Sequence, residues 1–199
     1  MTRISWAHGI IFGMMAGGAV LLLGHAQEGH ATGTFTRYAS SRPQLPVAFE
    51  YPADWSVEES SGTYEAYSQV QIYGPESLES RLRTYLVVRS MPPKTDGGRY
   101  TSVREMVDAY RQTLQPGLRI AGEQQIAVSG VPAIQLDISG TLRLPWESQE
   151  GKLVPVTSQR IFFERQGRFY EAGWMGTPEV SDTVAAVFAH LLQTLTLVQ

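Results

Sequence analysis

The side chains that could do catalytic chemistry in this chain are first its histidines and then its carboxylates, because the chain contains no cysteine. Its 199 residues include four histidines, and the lack of cysteine excludes disulfides, thiolate zinc sites, iron–sulfur clusters and thiol nucleophiles. His8, His25 and His30 precede the predicted domain. His190 lies on a predicted helix, roughly 120° from the centre of its apolar stripe, so we expect it to face solvent. The sequence therefore argues against a Ser-His-Asp triad and against a histidine-rich metal site.

Carboxylates are the second possible source of chemistry. A glycosidase needs two acids held ~5 to 10 Å apart, one with its pKa raised by burial. The candidate pairs combine Asp54, Glu58 or Glu59 with Glu147 or Glu150. All five lie in predicted turns or on polar strand faces, and the chain has no Walker loop. We therefore expect no enzymatic activity and no cofactor, and we keep a carboxylate-dependent hydrolase as the weakest alternative.

The charge is modest overall but unevenly distributed. A formal net charge of -3 and a pI near 5.8 argue against a general nucleic-acid binder. Residues 47–79 carry seven acids and no base, whereas residues 80–119 carry eight bases and three acids. The basic segment could steer an acidic partner protein or a membrane head group. Alternatively, the two segments are neighbours in one sheet, and their charges offset each other across strands.

Four residues are the predicted partner-binding residues. Arg83, Tyr85 and Arg89 are odd-numbered positions of one predicted strand, and alternation places them on a single face. Arginine combined with tyrosine is typical of binding interfaces. Trp146 stands in a polar loop between Pro145 and Glu147, where we expect exposure unless it folds back onto the sheet.

The N-terminus has the pattern of an export signal. Arg3 precedes an uncharged stretch, and the small residues Gly24 and Ala26 predict cleavage before Gln27. The alternative is a retained anchor, because residues 4–23 are about long enough to cross a bilayer. The predicted organisation is a signal peptide over 1–26, a flexible leader over 27–46 and a single domain over 47–199. We expect a periplasmic or secreted protein.

The order of predicted elements indicates an α+β domain with antiparallel hairpins. Residue alternation predicts strands, and helical periodicity predicts two helices, one beginning at Val103 with Ser102 and Glu105 as its capping box, and one running from Thr177 to about Leu195. Hairpins are predicted about Ser129-Gly130 and Gln166-Gly167, and a loop over Pro145–Pro155. The predicted strands cover residues 35–38, 47–51, 55–58, 67–73, 82–91, 120–128, 131–144, 156–164 and 168–174.

Three short motifs resemble the PsbP-like superfamily, which includes periplasmic DcrB-type proteins. Phe49–Trp55 resembles its F-x-Y-P-x-x-W opening, Val128–Ala133 its V-x-G-x-x-A hairpin, and Arg160–Tyr170 its late R-x-F…Y hairpin. The resemblance implies an α-β-α sandwich with a mainly antiparallel sheet and two principal helices. Members are mostly binding or assembly proteins, which implies an exported, non-catalytic module that binds a protein or envelope component. A small-ligand carrier with a cavity between helix and sheet remains an alternative.

Overall fold

The computed structural model describes residues 33–62, 66–77, 82–144 and 151–197. These ranges form ten strands, two α-helices and one turn of 3₁₀-helix. In chain order the elements are β1 (Phe35–Ala39), β2 (Val47–Pro52), β3 (Ser56–Gly62), β4 (Tyr67–Glu76), β5 (Arg83–Met91), the 3₁₀ turn (Lys94–Asp96), α1 (Val103–Gln112), β6 (Leu118–Val128), β7 (Val131–Leu144), β8 (Lys152–Arg165), β9 (Arg168–Gly176), α2 (Pro178–Thr194) and β10 (Thr196–Leu197). The short strand predicted after the N-terminal segment is β1.

Seven strands form one antiparallel sheet in the order β3-β4-β5-β9-β8-β7-β6. A smaller sheet has the order β1-β2-β10, and the sequence did not predict β10. The two predicted tight turns are confirmed: Ser129-Gly130 and Gln166-Gly167 adopt positive φ at both positions, as two-residue hairpins of type I′ require.

The prediction of a loop over Pro145–Pro155 is wrong in its second part. β7 ends at Leu144 as predicted, but β8 begins at Lys152 and not at Val156, so Thr141 pairs with Pro155 and Leu144 pairs with Lys152. Pro155 lies beyond the part of β8 that pairs with β9, which begins at Thr157. Because β8 has only β7 as a partner there, a missing N–H at Pro155 is tolerated as it is on an edge strand.

Helix α2 and strand β2 pack on one face of the large sheet. Even-numbered β5 residues such as Leu86 and Val88 point to this face. Phe188 of α2 is 1% exposed, which confirms the predicted apolar stripe. The main members of this core are Val47, Phe49, Val70, Ile72, Leu86, Val88, Ile161, Phe163, Ala172, Trp174, Val184, Val187, Phe188 and Leu191.

Helix α1 packs on the opposite face. Met106 and Val107 contact a smaller core that includes Leu136 and Phe162. The helix is capped as predicted, because the Ser102 Oγ accepts a hydrogen bond from the Glu105 N–H at 3.1 Å. A helix lies on each face of an antiparallel sheet, so the chain is an α+β protein with an α-β-α sandwich. Neither α-helix in the described ranges has the length and apolar content of a membrane span.

Candidate functional site

The α1 face of the large sheet has an uncovered half. Met106 and Val107 of α1 pack mainly against residues of β7, β8 and β9, so neither helix of the described ranges lies over β3, β4 and most of β5 on this side. Strand register shows which side chains share this surface. We call it the open half-face, and it is formed by Ser56, Glu58, Ser60, Gln69, Gln71, Tyr73, Arg83, Tyr85, Val87 and Arg89.

Arginine guanidiniums lie over tyrosine rings at three places on this face. Such pairs combine ring attraction for a cation with a large contact area. The Arg83 head group is also held by Ser56, whose Oγ accepts from Nη2 at 2.8 Å. The three guanidinium-to-ring distances are 4.9 Å for Arg83 over Tyr73, 4.6 Å for Arg89 over Tyr67 and 5.8 Å for Arg160 over Tyr85.

Two of these arginines share one buried carboxylate. The side chain of Glu171 is 9% exposed, and its Oε2 lies 3.2 Å from Arg89 Nη1 while its Oε1 lies 3.4 Å from Arg160 Nη1. Arg89 also donates to Gln69 Oε1 from Nε and Nη2. Arg160 Nη2 donates to the Tyr85 hydroxyl at 3.0 Å. The trio carries one net positive charge where little solvent can screen it.

A cleft of about 300 Å³ opens between the C-terminal end of α1 and this trio. We call it the α1 cleft; the residues that define it are Tyr85, Tyr110, Leu114, Leu118, Arg160 and Met175. Gly173 makes room for its floor, because a Cβ there would come within 2.6 Å of Arg160 Cδ. Glycine at this position therefore allows Arg160 to lie across the sheet.

Burial and charge shift the pKa of two groups in the α1 cleft. Burial alone would lower the pKa of Arg160, but its interactions with Tyr85 and Glu171 more than offset burial and raise it. Arg160 is therefore a permanent cation. Burial also raises the pKa of the Tyr110 phenol, despite the opposing effect of Arg160. Tyr110 thus keeps its proton at neutral pH and can donate a hydrogen bond.

A second, more apolar groove of about 380 Å³ lies beside the Arg83 end of the open half-face. Trp55 and Tyr73 are half-buried there, and Arg83 is exposed. Val187 of α2 closes the opposite wall. The groove therefore joins an exposed cation to aromatic and aliphatic surface, which is the combination that protein interfaces use.

The structure brings three of the four predicted partner-binding residues together. Arg83, Tyr85 and Arg89 lie on one face, whereas Trp146 lies outside the described residues. The alternative, in which the basic segment pairs with the acidic residues 47–79, holds only in part. The two segments are neighbours in the sheet through β4 and β5, but the carboxylate that binds Arg89 is Glu171 on β9. A binding role for these residues stays a prediction.

The sequence patterns did not identify Arg160 and Glu171 as site residues, although they are the most buried charged residues of the site. Both residues lie on strands that residue alternation predicts. A charged residue at a position that alternation places on the buried side of such a strand is a signal that could have identified them. Their partners were not predictable, since Arg89 and Glu171 are 82 positions apart and meet only because β5 is adjacent to β9.

His190 does not simply face solvent as predicted. Its side chain is 32% exposed, its Nε2 lies 2.9 Å from Glu50 Oε2, and its ring centroid lies 3.9 Å from that of Phe35. The sequence could not place it, because α2 packs beside β1 and β2, which cover part of its polar side. The contacts bind α2 to the small sheet.

The carboxylates considered for hydrolysis do not form a described pair. Glu59 binds Arg42 at 2.7 Å and accepts a hydrogen bond from Tyr38, while Asp54 and Glu58 are exposed. Burial and the Glu59 hydrogen bond raise the pKa of Tyr38. Their proposed counterparts between residues 145 and 150 lie outside the described residues. Within the described ranges, no three His, Asp or Glu side chains cluster to hold a metal ion.

Comparison with solved structures identifies the fold. The chain resembles cyanobacterial PsbP (CyanoP) of Synechocystis sp. PCC 6803, with a TM-score of 0.51, 13% identity and coverage of 85% of this chain and 95% of that one. It also resembles LpqN of Mycobacterium tuberculosis, described as involved in cell envelope biogenesis, with a TM-score of 0.51, 14% identity and coverage of 83% and 91%. No protein-family model and no curated protein matches the sequence. The chain has the PsbP-like fold, as its motifs predicted.

Proposed function

We propose that this chain is an exported, non-catalytic PsbP/DcrB-like module that binds a protein of the cell envelope through its open half-face. The observation that carries the proposal is the uncovered half of the α1 face, where Arg83, Tyr73 and Tyr85 adjoin an apolar groove. The export pattern of residues 1–26 supports the location. LpqN, one of the structures with this fold, is described as involved in cell envelope biogenesis.

The composition of the surface indicates the chemistry of the partner. Arg83 is exposed and already oriented by Tyr73 and Ser56, so it loses little freedom when it binds a carboxylate. The groove beside it would take an apolar side chain, with Trp55 as one wall. We therefore expect a protein segment that combines an acidic residue with a neighbouring aromatic or aliphatic one.

The test is capture of the partner by crosslinking in the native envelope, with Arg83→Glu as the variant. Arg89 is not a useful target, because a carboxylate there would face Glu171 and disturb the fold. Arg119→Glu is the matched control: Arg119 is exposed and belongs to the same basic segment, but it pairs with Ser139 on β6–β7 and points to the other sheet face. We expect Arg83→Glu to remain folded and lose its partner, and Arg119→Glu to keep it.

Salt provides a second readout of the same proposal. Attraction between Arg83 and an acidic partner is screened within ~8 Å at physiological ionic strength, so association of the unmodified protein should slow as salt rises. Equal capture by both charge-reversal variants would refute the open half-face as the binding surface. Retention on protein-free vesicles, with no crosslinked protein, would instead assign the face to lipid and refute a protein partner.

A further inference from the structure

The geometry points to the α1 cleft as a binding site for a small organic monocarboxylate. The cleft is separate from the Arg83 groove, although Tyr85, Val87 and Arg89 of the open half-face also line it, and the inference is argued from the cleft residues and not from the proposed protein partner. It rests on three properties of the described residues: unused hydrogen-bond donors, one net positive charge, and an apolar wall.

The hydrogen-bonding capacity left next to Arg160 in the α1 cleft consists of donors. Both carboxylate oxygens of Glu171 are taken by arginines. Arg160 is 8% exposed, yet its Nε–H is buried and has no hydrogen-bond partner among the described residues. The Tyr85 oxygen accepts from Arg160, so its own O–H is free to donate. The Tyr110 hydroxyl also interacts with Arg160 and retains its proton. A buried donor without an acceptor is costly, and the hydroxyls of Tyr85 and Tyr110 are the donors that a ligand in the cleft would reach.

The local charge favours a singly charged ligand. Arg89 and Arg160 contribute two positive charges, and Glu171 cancels one of them. A carboxylate would neutralise the remaining charge, whereas a phosphate dianion would leave an excess negative charge beside Glu171. A planar guanidinium and two phenol hydroxyls also match the two oxygens of a carboxylate.

The walls of the α1 cleft favour an organic acid over a small inorganic anion. Leu114 and Leu118 come from the segment that leaves α1, and Met175 comes from β9. A volume of about 300 Å³ lies at the small end of the range for ligand pockets. The site therefore suits a carboxylate attached to a short aliphatic chain or one ring, with the acid group toward Arg160 and the apolar group toward the leucines.

The experiment is a titration of the purified protein with benzoate, hexanoate, benzamide and inorganic phosphate. Binding is measured by calorimetry and by the chemical-shift changes of the amide NMR signals. We expect benzoate or hexanoate to bind saturably, with shifts confined to residues around Gly173 and the end of α1. Benzamide has the same shape without the charge, and we expect at least ~10-fold weaker binding because it cannot accept charge-assisted hydrogen bonds. Equal binding of benzamide, tighter binding of phosphate, or no binding of either acid would each overturn the inference.

Conservative variants then locate the site. Tyr85→Phe and Tyr110→Phe each remove one donor but keep the ring, and each should weaken benzoate binding about tenfold. Tyr51→Phe, on the small sheet, is the matched control and should leave the affinity unchanged. All three variants keep the buried ion trio, so loss of folding is not expected, and the NMR spectrum verifies it. Unchanged affinity in both cleft variants would place benzoate elsewhere and overturn the assignment.

Discussion

The two faces of the large sheet have opposite compositions. The α2 face is a continuous apolar core in which Phe163 and Phe188 are almost fully buried. The α1 face is apolar under its helix and in a second cluster that includes Leu142, Val156 and Met175, and it carries the Arg89–Glu171–Arg160 trio beside them. A ten-residue helix covers only part of a seven-stranded sheet, so the second face keeps both polar groups and open space.

The difference separates residues that hold the fold from residues that are free for binding. Apolar burial on the α2 face stabilises at ~25 cal/mol per Å². Buried ion pairs contribute little net stability, because the loss of hydration offsets their attraction. The ligand site that we propose in the α1 cleft would give Arg160 and Glu171 a role other than stabilising the fold.

The largest expected effect is on the α2 face. Phe188→Ala should lower the free energy of unfolding by ~3 to 5 kcal/mol, because it removes a ring that is 1% exposed and leaves a cavity. Urea denaturation measures the change. Leu153→Ala is the control, since Leu153 is 62% exposed and should cost less than ~0.5 kcal/mol. A cost below ~1 kcal/mol for Phe188→Ala would mean that α2 contributes little to the core.

The second effect concerns the ion trio. Glu171→Gln leaves two arginines without their shared carboxylate and should cost ~3 kcal/mol, at the low end for a broken buried pair because Arg89 is 29% exposed. Glu123→Gln is the matched control: Glu123 also binds two arginines, Arg104 and Arg111, but these are exposed, so its loss should cost less than ~1 kcal/mol. Equal costs for both variants would show that burial does not distinguish the two clusters.

A smaller effect is expected at the start of α1. Ser102→Ala removes the side-chain acceptor for the Glu105 N–H and should cost ~1 kcal/mol. Because α1 covers only part of its face, the loss should also accelerate amide exchange in α1 more than in α2. Uniform acceleration in both helices would mean that the two faces open together.

The smallest effect is a pH dependence at the same cap. Hydrogen bonds from the Thr101 hydroxyl and N–H lower the pKa of Glu105 below 4.5. A lowered folded-state pKa stabilises above the unfolded pKa, so this contribution is lost as the pH falls below 4.5 and through the folded value. An NMR titration should show a Glu105 pKa that is less lowered when the chain carries Thr101→Ala, because this variant loses the hydroxyl donor and keeps the N–H donor. An unchanged Glu105 pKa in that variant would contradict the role of the hydroxyl.

Local features of the fold were predictable and distant ones were not. The two hairpin turns, the Ser102 cap and the α2 stripe depend on neighbouring residues, and all are confirmed. The predicted start of β8 is too late because Pro155 favours a loop. Proline is tolerated there because β9 does not extend that far, and the length of a neighbouring strand cannot be predicted from local sequence. Arg83 and Tyr85 followed from alternation, but Glu171 joined them only through the order β5-β9-β8.

We place the binding surface on the open half-face and not on the solvent side of α2. A photocrosslinking residue placed at Glu58, and separately at Gln193, tests this most directly, since both are exposed polar residues: Glu58 lies on the open half-face, and Gln193 lies in the last turn of α2, away from Thr183 and Val187 at the groove. In the native envelope we expect a discrete protein adduct from position 58 and none from position 193. An adduct from position 193 alone, or equal adducts from both, would contradict the proposed surface.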